Sequence, residues 1–367
     1  AGKNSITSGD KRLNQAAADA STAPRNPNSA LLFHAANHER GDSIGQGLGL
    51  AKRRCLTTKL AQRGADMGGI CQDRTVIVTG AGGGIGREHA LALAAAGARV
   101  VVNDLGTSNH GQGSDQSPAH QVVEQIQAAG GQAFANTADV TDSNAMDALI
   151  EQTLTQFGSL HAVVNNAGFV RDRMFVSCSD EEWDAIIAVH LRGHMALSRA
   201  AATFWRSQSK AGQAVDGRII NTSSGAGLRG SVGQATYSAA KAGILALTLV
   251  QAAELKRYGV TANAIAPAAR TRMTEAVFAD MMAKPDQGFD RMDPANISPL
   301  VVFLASAESA FVNGRVFEVE GGMIALADGW RRGATIDQDQ RWKPEAIATA
   351  VERLIAEQPA SEPVYGT

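Results

Sequence analysis

The chain of 367 residues is long enough for one large α/β domain or for two domains of average size. Hydrophobic residues make up 44% and charged residues 19%, a balance typical of a soluble globular protein with a sizeable core. The formal net charge of -2, with no dense Lys/Arg block after residue 70, argues against nucleic acid or an anionic membrane as a partner. The apolar stretch 242–253 is far shorter than the roughly 20 residues that cross a bilayer. We therefore expect a buried helix there and no membrane association.

Residues 1–72 show no sustained hydrophobic periodicity and are rich in Ala, Gly, Asn, Ser, Lys and Arg. This composition predicts a disordered leader and not a domain. An organellar transit peptide is one alternative, although acidic residues such as Asp10 and Glu39 are unusual in such a peptide. Another alternative is that the functional chain starts at Met67, just ahead of the first predicted strand.

The three cysteines, Cys55, Cys71 and Cys178, are scattered and show no CxxC spacing. Neither a metal site nor a disulfide framework is predicted from them. Unpaired cysteines fit a reducing compartment, and residues 1–72 contain no apolar core of a secretory signal. We therefore expect a cytoplasmic protein.

From residue 74, short β-rich runs alternate with helical stretches rich in Ala and Leu. This alternation predicts an α/β fold, a Rossmann-like doubly wound parallel sheet with helices on both faces. Runs such as TVIV and RVVV are apolar at successive positions, as expected for strands buried on both faces. One domain is predicted over 73–328, followed by an extension, 329–367, with one helix over 343–358. The seven predicted strands cover residues 74–80, 98–104, 131–139, 160–166, 217–223, 260–266 and 314–322.

The sequence TGAGGGIG (79–86) follows the first predicted strand and precedes a predicted helix. In that context the glycines predict a dinucleotide site, with Gly80 and Gly84 forming a tight turn and Gly86 allowing close packing of helix on strand. Asp104 ends the second strand about twenty residues later, where an acidic residue accepts hydrogen bonds from the adenosine ribose and repels a 2′-phosphate. NAD is therefore predicted as the cofactor in preference to NADP.

Tyr237 and Lys241 are four residues apart in YSAAK, so on a helix they share one face. A free phenol titrates near pH 10, and a positive charge within several ångströms lowers such a pKa by about 1 to 3 units. Lys241 supplies one such charge, and the oxidised nicotinamide of a bound cofactor would supply another. The pair therefore predicts a tyrosine tuned for proton transfer.

Seven pieces, from TGAGGGIG through Asp104, Asp139-Val140, NNAG (165–168), Ser224 and YSAAK to Pro267 with Thr271, follow one another over residues 72–325. Their order and spacing resemble the short-chain dehydrogenase/reductase family. Within it, wording such as VHLRGH resembles the 3-hydroxyacyl-CoA dehydrogenase domain of multifunctional β-oxidation enzymes and of stand-alone bacterial relatives. The resemblance implies cofactor contacts at Gly80, Gly84, Ile85, Gly86, Asp104, Leu105, Asp139, Val140, Asn166, Ala167, Gly168, Tyr237, Lys241, Pro267 and Thr271.

The same resemblance implies catalysis by Tyr237 as general base, by Lys241 beside it and by Ser224, which would hold the substrate oxygen. Ser223 is the competitor for that last role. His190 stands where many family members carry Asn, and either it anchors a proton-relaying water or it is a satisfied core residue.

The implied reaction is NAD-dependent oxidation of a secondary alcohol, most simply a 3-hydroxyacyl-CoA or a hydroxysteroid. A 3-oxoacyl-thioester reductase is an alternative that Asp104 disfavours, and a catalytically idle NAD-binding module is another. A homodimer or homotetramer is implied, with the long helices of 180–207 and 236–257 at its interface.

Overall fold

The computed structural model of the protein describes residues 69–107, 113, 115–271, 282–327, 329, 332–359 and 362–365. Residues 1–68 of the predicted leader, with the possible start at Met67, lie outside the described residues, whereas Cys71 in its last part is buried in the core.

One sheet carries the domain, with strands β1 to β8 at Thr75–Thr79, Arg99–Asn103, Gln132–Asn136, Ala162–Asn165, Gly217–Thr222, Val260–Ala268, Val316–Glu320 and Met323–Ala327. The strand order is β3-β2-β1-β4-β5-β6-β7-β8, in which β1 to β7 run parallel and β8 pairs antiparallel with β7. The predicted Rossmann-like fold is confirmed, but the expected number of about seven strands is wrong by one. The chain turns back at Gly321 and Gly322, where the last predicted strand ends.

Helices cover both faces of the sheet. Alternate strand residues point to opposite sides, so Val76 and Val78 join one hydrophobic core while Ile77 joins the other. The helices α1 to α9 span Gly84–Ala95, Ser117–Ala128, Ser143–Phe157, Asp180–Ile187, Gly193–Lys210, Gly225–Arg229, Ala235–Leu255, Ser298–Ala305 and Pro344–Ala356. The first core receives α1, α2 and α8, and the second receives α3 and α5 with the buried Trp205. Helix α9 lies within the extension, inside the stretch predicted to be helical.

Helix α4 begins with a capping box in which Ser179 and Glu182 each bond the backbone N–H of the other. It continues through a π-helical segment, Ala188–Arg192, directly into α5. Segments of π-helix occur mostly as single-turn bulges inside α-helices, frequently at functional sites. His190 lies in the middle of this segment, so the helix places it beside the C-terminal edge of the sheet.

Helix α7 is longer than the apolar run that the sequence singled out. With the following turn it spans Ala235–Tyr258, and among the described residues it alone is long and apolar enough to cross a membrane by length and composition. It packs against β5, β6 and α6, and it buries polar residues including Thr236, Lys241 and Gln251. Leu249 and Val250 on another face remain about half exposed. The packing is that of a core helix with one apolar face left uncovered.

Candidate active site

The glycine-rich turn joins β1 to the start of α1. Gly80 and Gly84 have positive φ angles of 62° and 52°, while Ile85 packs on the core. A Cβ atom on Gly86 would lie 2.1 Å from the Gly80 carbonyl oxygen, so the helix approaches the turn more closely than a side chain permits. The N-cap residue Gly83 provides no side-chain cap, and the first helical turn holds no acidic residue. Uncapped N–H groups at a helix start suit an anion, so this turn fits the pyrophosphate of a dinucleotide.

Asp104 follows β2, and its carboxylate lies against the glycine-rich turn. Oδ2 accepts a hydrogen bond from the Gly82 N–H at 2.7 Å, and Oδ1 accepts one from the Gly106 N–H at 2.7 Å. These bonds fix the carboxylate and the neighbouring Leu105 beside the turn. A carboxylate at the end of the second strand suits ribose hydroxyls and repels a 2′-phosphate.

The side chain of Asn166 braces the glycine-rich turn from behind. Its Nδ2 donates to the carbonyl oxygens of Thr79 and Gly80, at 3.1 and 3.2 Å. The Thr79 hydroxyl oxygen in turn accepts from the N–H groups of Asn166 and Ala167, at 3.0 and 3.1 Å. The amide nitrogen of Asn166 therefore acts on the turn itself, a role that the sequence reasoning missed.

The remaining predicted cofactor positions follow the carboxyl ends of neighbouring strands. Asp139 comes after β3, and its Oδ1 accepts from the backbone N–H two residues later at 2.8 Å. Val140 beside it is buried. Pro267 lies near the end of β6, paired with β7, and Thr271 follows. The Thr271 methyl carbon lies 3.7 Å from the place of a Cβ on Gly84, so this threonine faces the glycine-rich turn.

Ser224 and Tyr237 meet in the structure. Ser224 follows β5 and caps α6, where its hydroxyl oxygen accepts from the Ala226 N–H at 3.2 Å. The same side chain lies close enough to the phenol of Tyr237, near the start of α7, to lower the pKa of that phenol. Ser223 instead turns into the core, and its hydroxyl donates to the Lys241 carbonyl oxygen at 2.9 Å. Of the two serines, Ser224 is thus the one that contacts the phenol.

Lys241 lies one helical turn beyond Tyr237, with Nζ 5.5 Å from the centre of the phenol ring. Its ammonium donates to the Thr222 carbonyl oxygen at 2.7 Å and is otherwise deeply buried. Burial lowers the pKa of Lys241 to about 7. Near neutral pH the amine therefore exists in both protonation states.

Burial also raises the pKa of the Tyr237 phenol, and the hydrogen bond to Ser224 acts in the opposite direction. The negative charge of Asp172 raises this pKa further. The expected lowering of the Tyr237 pKa includes the positive charge of a bound nicotinamide, so it stays a prediction for the site with its cofactor. Loss of water around the phenol is the largest cause of the raised pKa of Tyr237, and burial also disfavours the positive charge on the neighbouring Lys241.

His190 packs its ring edge-on against Tyr237, with the ring centres 5.2 Å apart. Its Nε2 lies 2.7 Å from the Phe169 carbonyl oxygen and 3.2 Å from the Phe169 backbone nitrogen. Gly168 leaves room for the ring, because a Cβ there would lie 2.2 Å from Cε1. Burial first, and then the charge of Lys241, lowers the pKa of His190 to about 3. The imidazole is therefore neutral, and within the described part of the chain its buried Nδ1 has no hydrogen-bond partner.

A second buried histidine, His194, lies one turn further along the helix. Its Nε2 accepts from the Thr222 N–H at 3.4 Å, and the carbonyl of the same Thr222 holds the ammonium of Lys241. Burial and then the charge of Lys241 keep the pKa of His194 well below its usual range. His194 was not predicted from the sequence, because a lone histidine in an apolar helix carries no signal of its partners.

Behind these residues, a buried polar network links β4, β5, α5 and α7. Asn165 donates to the side-chain oxygens of Ser198 and Asn221, both at 2.9 Å. Asn221 donates onward to Thr248 at 2.9 Å and to Gln251 at 2.8 Å. Fully satisfied buried networks hold their elements in one arrangement. This one fixes the strand that carries Ser224 to the helix that carries Tyr237.

Comparison with known proteins assigns this geometry to a family. A model of the short chain dehydrogenase family matches residues 74–282, more than half of the chain. The chain belongs to the short-chain dehydrogenase/reductase family. This short-chain dehydrogenase is accordingly an oxidoreductase, and the matched range contains the glycine-rich turn, Ser224, Tyr237 and Lys241.

Relatives refine the position of this short-chain dehydrogenase within the family. It is 49% identical over 262 residues to hydroxyacyl-CoA dehydrogenase ChsB1 of Mycobacterium tuberculosis, covering 69% of the chain and 79% of that protein. It is 43% identical over 293 residues to mouse peroxisomal multifunctional enzyme type 2, covering 79% of the chain but only 38% of the mouse enzyme. A crystal structure of a short chain dehydrogenase from Mycobacterium avium matches with a TM-score of 0.74 and 57% identity, covering 82% of this chain and all of that one. The resemblance to the β-oxidation dehydrogenase domain is thereby confirmed.

Proposed function

We propose that the protein is an NAD-dependent dehydrogenase that oxidises the secondary alcohol of a 3-hydroxyacyl-CoA, or of a hydroxysteroid, to the ketone. The observation that carries the proposal is the contact of Ser224 with Tyr237, one helical turn from Lys241, at the sheet edge that also holds the glycine-rich turn. In doubly wound sheets, ligands bind at this carboxyl edge.

Each residue of the site has a role in the reaction that follows from its chemistry. The hydroxyl of Ser224 holds the substrate oxygen, and the ionised phenol of Tyr237 takes the hydroxyl proton as the electrons of that O–H bond form the carbonyl. A nicotinamide cofactor, when bound, supplies the acceptor for the hydride that leaves the carbinol carbon. The ammonium of Lys241 stabilises the ionised phenol, and the neutral His190 packs beside its ring.

Asp104 supports NAD over NADP as the cofactor. Its carboxylate is held against the glycine-rich turn by two backbone N–H groups and so adds negative charge where a 2′-phosphate would come. The ratio of kcat/KM for NAD to that for NADP measures this preference. A ratio below one would contradict this part of the proposal.

The substrate class is supported by the names of the relatives, which include a hydroxyacyl-CoA dehydrogenase and a multifunctional peroxisomal enzyme. The runner-up activity, a 3-oxoacyl-thioester reductase, would work in the opposite direction with NADPH. A catalytically idle NAD-binding module is the third possibility, and the contact of Ser224 with Tyr237 argues against it.

The experiment is a spectrophotometric assay with a panel of substrates. The protein is mixed with NAD and a series of 3-hydroxyacyl-CoA thioesters and hydroxysteroids, and NADH formation is followed. Tyr237→Phe is the matched control, because it removes one hydroxyl group and keeps the ring against His190. NADH formation by the natural protein and its loss by orders of magnitude in the control support the proposal. NAD binding with no turnover on any substrate favours the idle module, and faster reduction of 3-oxoacyl thioesters with NADPH favours the reductase.

A homodimer or homotetramer in the cytoplasm completes the proposal. The half-exposed Leu249 and Val250 on α7 support an interface between copies on that helix. Analytical ultracentrifugation measures the oligomeric state, and a monomer at micromolar concentration would contradict it.

A further inference from the structure

A short segment around Tyr365 lies against the loop that follows the catalytic serine. Residues 362–365, here the C-terminal strap, pair with the loop 225–234, here the site loop, which connects the catalytic serine to the catalytic tyrosine. The Val232 N–H donates to the Tyr365 carbonyl oxygen at 2.9 Å, and the Tyr365 N–H donates to the Gly230 carbonyl oxygen at 3.2 Å. The strap and the site loop thus form a parallel β-bridge.

The side chain of Tyr365 reaches the residue next to Ser224. A Cβ atom on Gly225 would lie 2.6 Å from the Tyr365 hydroxyl oxygen and 2.9 to 3.0 Å from two ring carbons. The phenol therefore packs directly on the backbone of Gly225. Because Ser224 caps the helix that begins at Gly225, any shift of this backbone moves the serine hydroxyl as well.

Arg229 ties the strap, the site loop and the sheet together. Its Nη2 donates to the Tyr365 hydroxyl oxygen at 2.8 Å, and its guanidinium lies 5.3 Å from the centre of the Tyr365 ring. The same guanidinium forms ion pairs with Glu318 on β7 and with Glu362 in the strap. The Arg229 side chain is only 15% exposed, so these contacts are partly shielded from water.

The site loop needs such support. Its helix α6 has only five residues, too few to be stable alone in water. We propose that the C-terminal strap positions the catalytic serine: Tyr365 fixes the Gly225 end of the site loop and so keeps the Ser224 hydroxyl within hydrogen-bonding reach of the Tyr237 phenol. Tyr365 is in this view a positioning residue. The inference rests on the proposed function, because one of its two readouts is turnover.

The first test compares three variants by kcat, KM and the dissociation constant for NAD. A displacement of about 1 Å costs up to about 100-fold in rate, so Tyr365→Ala is expected to lower kcat by about 10- to 100-fold. NAD binding stays unchanged, because the strap contacts the site loop and not the glycine-rich turn. Tyr365→Phe keeps the ring on Gly225 and is expected to retain most of the turnover.

Tyr258→Ala is the matched control. Tyr258 follows α7, about 30 Å along the helix from Tyr237, and its loss leaves kcat unchanged. A Tyr365→Ala variant that turns over like the natural protein would overturn the inference, as would equal losses in Tyr365→Ala and Tyr258→Ala.

The second test does not depend on activity. In a chain that ends at residue 361, the Val232 amide loses its acceptor, so peptides covering residues 228–236 should exchange hydrogen faster in mass spectrometry. Peptides covering 79–90 should exchange as before. If the natural protein transfers no hydride, the proposed function fails. Hydrogen exchange still tests whether the strap holds the site loop in place. Unchanged exchange over 228–236 would show that the strap does not hold the site loop.

Discussion

Replacement of Lys241 by methionine tests whether the buried ammonium destabilises the folded protein. Burial lowers the pKa of Lys241 from its ordinary value of 10.5 to about 7. Each pKa unit corresponds to about 1.4 kcal/mol, so keeping this lysine protonated costs the folded state on the order of 5 kcal/mol below pH 7. Methionine fills a similar volume without the charge. The variant also loses the hydrogen bond from Lys241 to the Thr222 carbonyl, which lowers its free energy of unfolding by about 1 to 3 kcal/mol at every pH.

The sign of the pH effect follows from proton binding. Between pH 7 and 10.5 the unfolded chain keeps a proton on Lys241 that the folded protein has released. The free energy of unfolding of the natural protein therefore rises with pH in this window, and the Lys241→Met variant lacks that contribution. Between pH 7 and pH 9.5 the natural protein should gain about 3 kcal/mol relative to the variant.

Urea denaturation of both proteins at pH 7 and at pH 9.5, at one fixed protomer concentration, measures this difference. Lys256→Met is the control, because Lys256 is exposed just beyond the end of the same helix and its replacement should leave the pH dependence unchanged. Parallel pH profiles for the natural protein and Lys241→Met would refute the assignment of a buried, partly deprotonated amine.

Three further predictions concern the site. Burial holds the proton on the Tyr237 phenol, so the rate of alcohol oxidation should rise with pH in the alkaline range, and the residual rate of Tyr237→Phe should lack that rise. Ser224→Ala should abolish most turnover. Ser223→Ala should keep turnover but lose about 1 kcal/mol of stability in urea denaturation, because the Ser223 hydroxyl bonds the core. Equal kinetic losses in the two variants would contradict these separate roles of the two serines. Gly86→Ala should weaken NAD binding in calorimetric titration and cost about 1 to 3 kcal/mol of stability. Gly322→Ala, with no atom within 4 Å of its added Cβ, is the control and should change neither NAD binding nor stability. Unimpaired NAD binding by Gly86→Ala would count against the glycine-rich turn as the cofactor site.

The parts of the fold that could be predicted are those set by local patterns. The strand, glycine-rich turn and helix around Gly80 to Gly86 are contiguous in sequence, so composition and order suffice to predict them. Strand β8 was missed although its signal is present, since two glycines separate Met323–Ala327 from β7 as in a tight hairpin. Its short run MIALA lies inside the predicted domain, 73–328, but beyond the last predicted strand.

The parts of the site that could not be predicted depend on burial and on contacts between distant residues. Single hydrogen bonds in the polar network of Asn165 and Asn221 join residues up to 56 positions apart, and no local pattern indicates which residues bond one another. The raised pKa of Tyr237 has the same origin, because the degree of desolvation around a phenol follows from packing and not from the lysine four residues away. Docking of Tyr365 on Gly225 brings together residues 140 positions apart and has no sequence signature either.

The π-helical segment at Ala188–Arg192 sets the rotation between the two halves of a long helix. Ile186 before it packs with Phe169 and Ala240, while Leu197 after it packs in a separate core cluster. An α-helix turns by about 100° per residue, so deletion of one residue in this segment would rotate one half by that angle relative to the other. The shortened helix would then have to leave either Ile186 or Leu197 facing water, which makes the additional residue a requirement for both clusters at once.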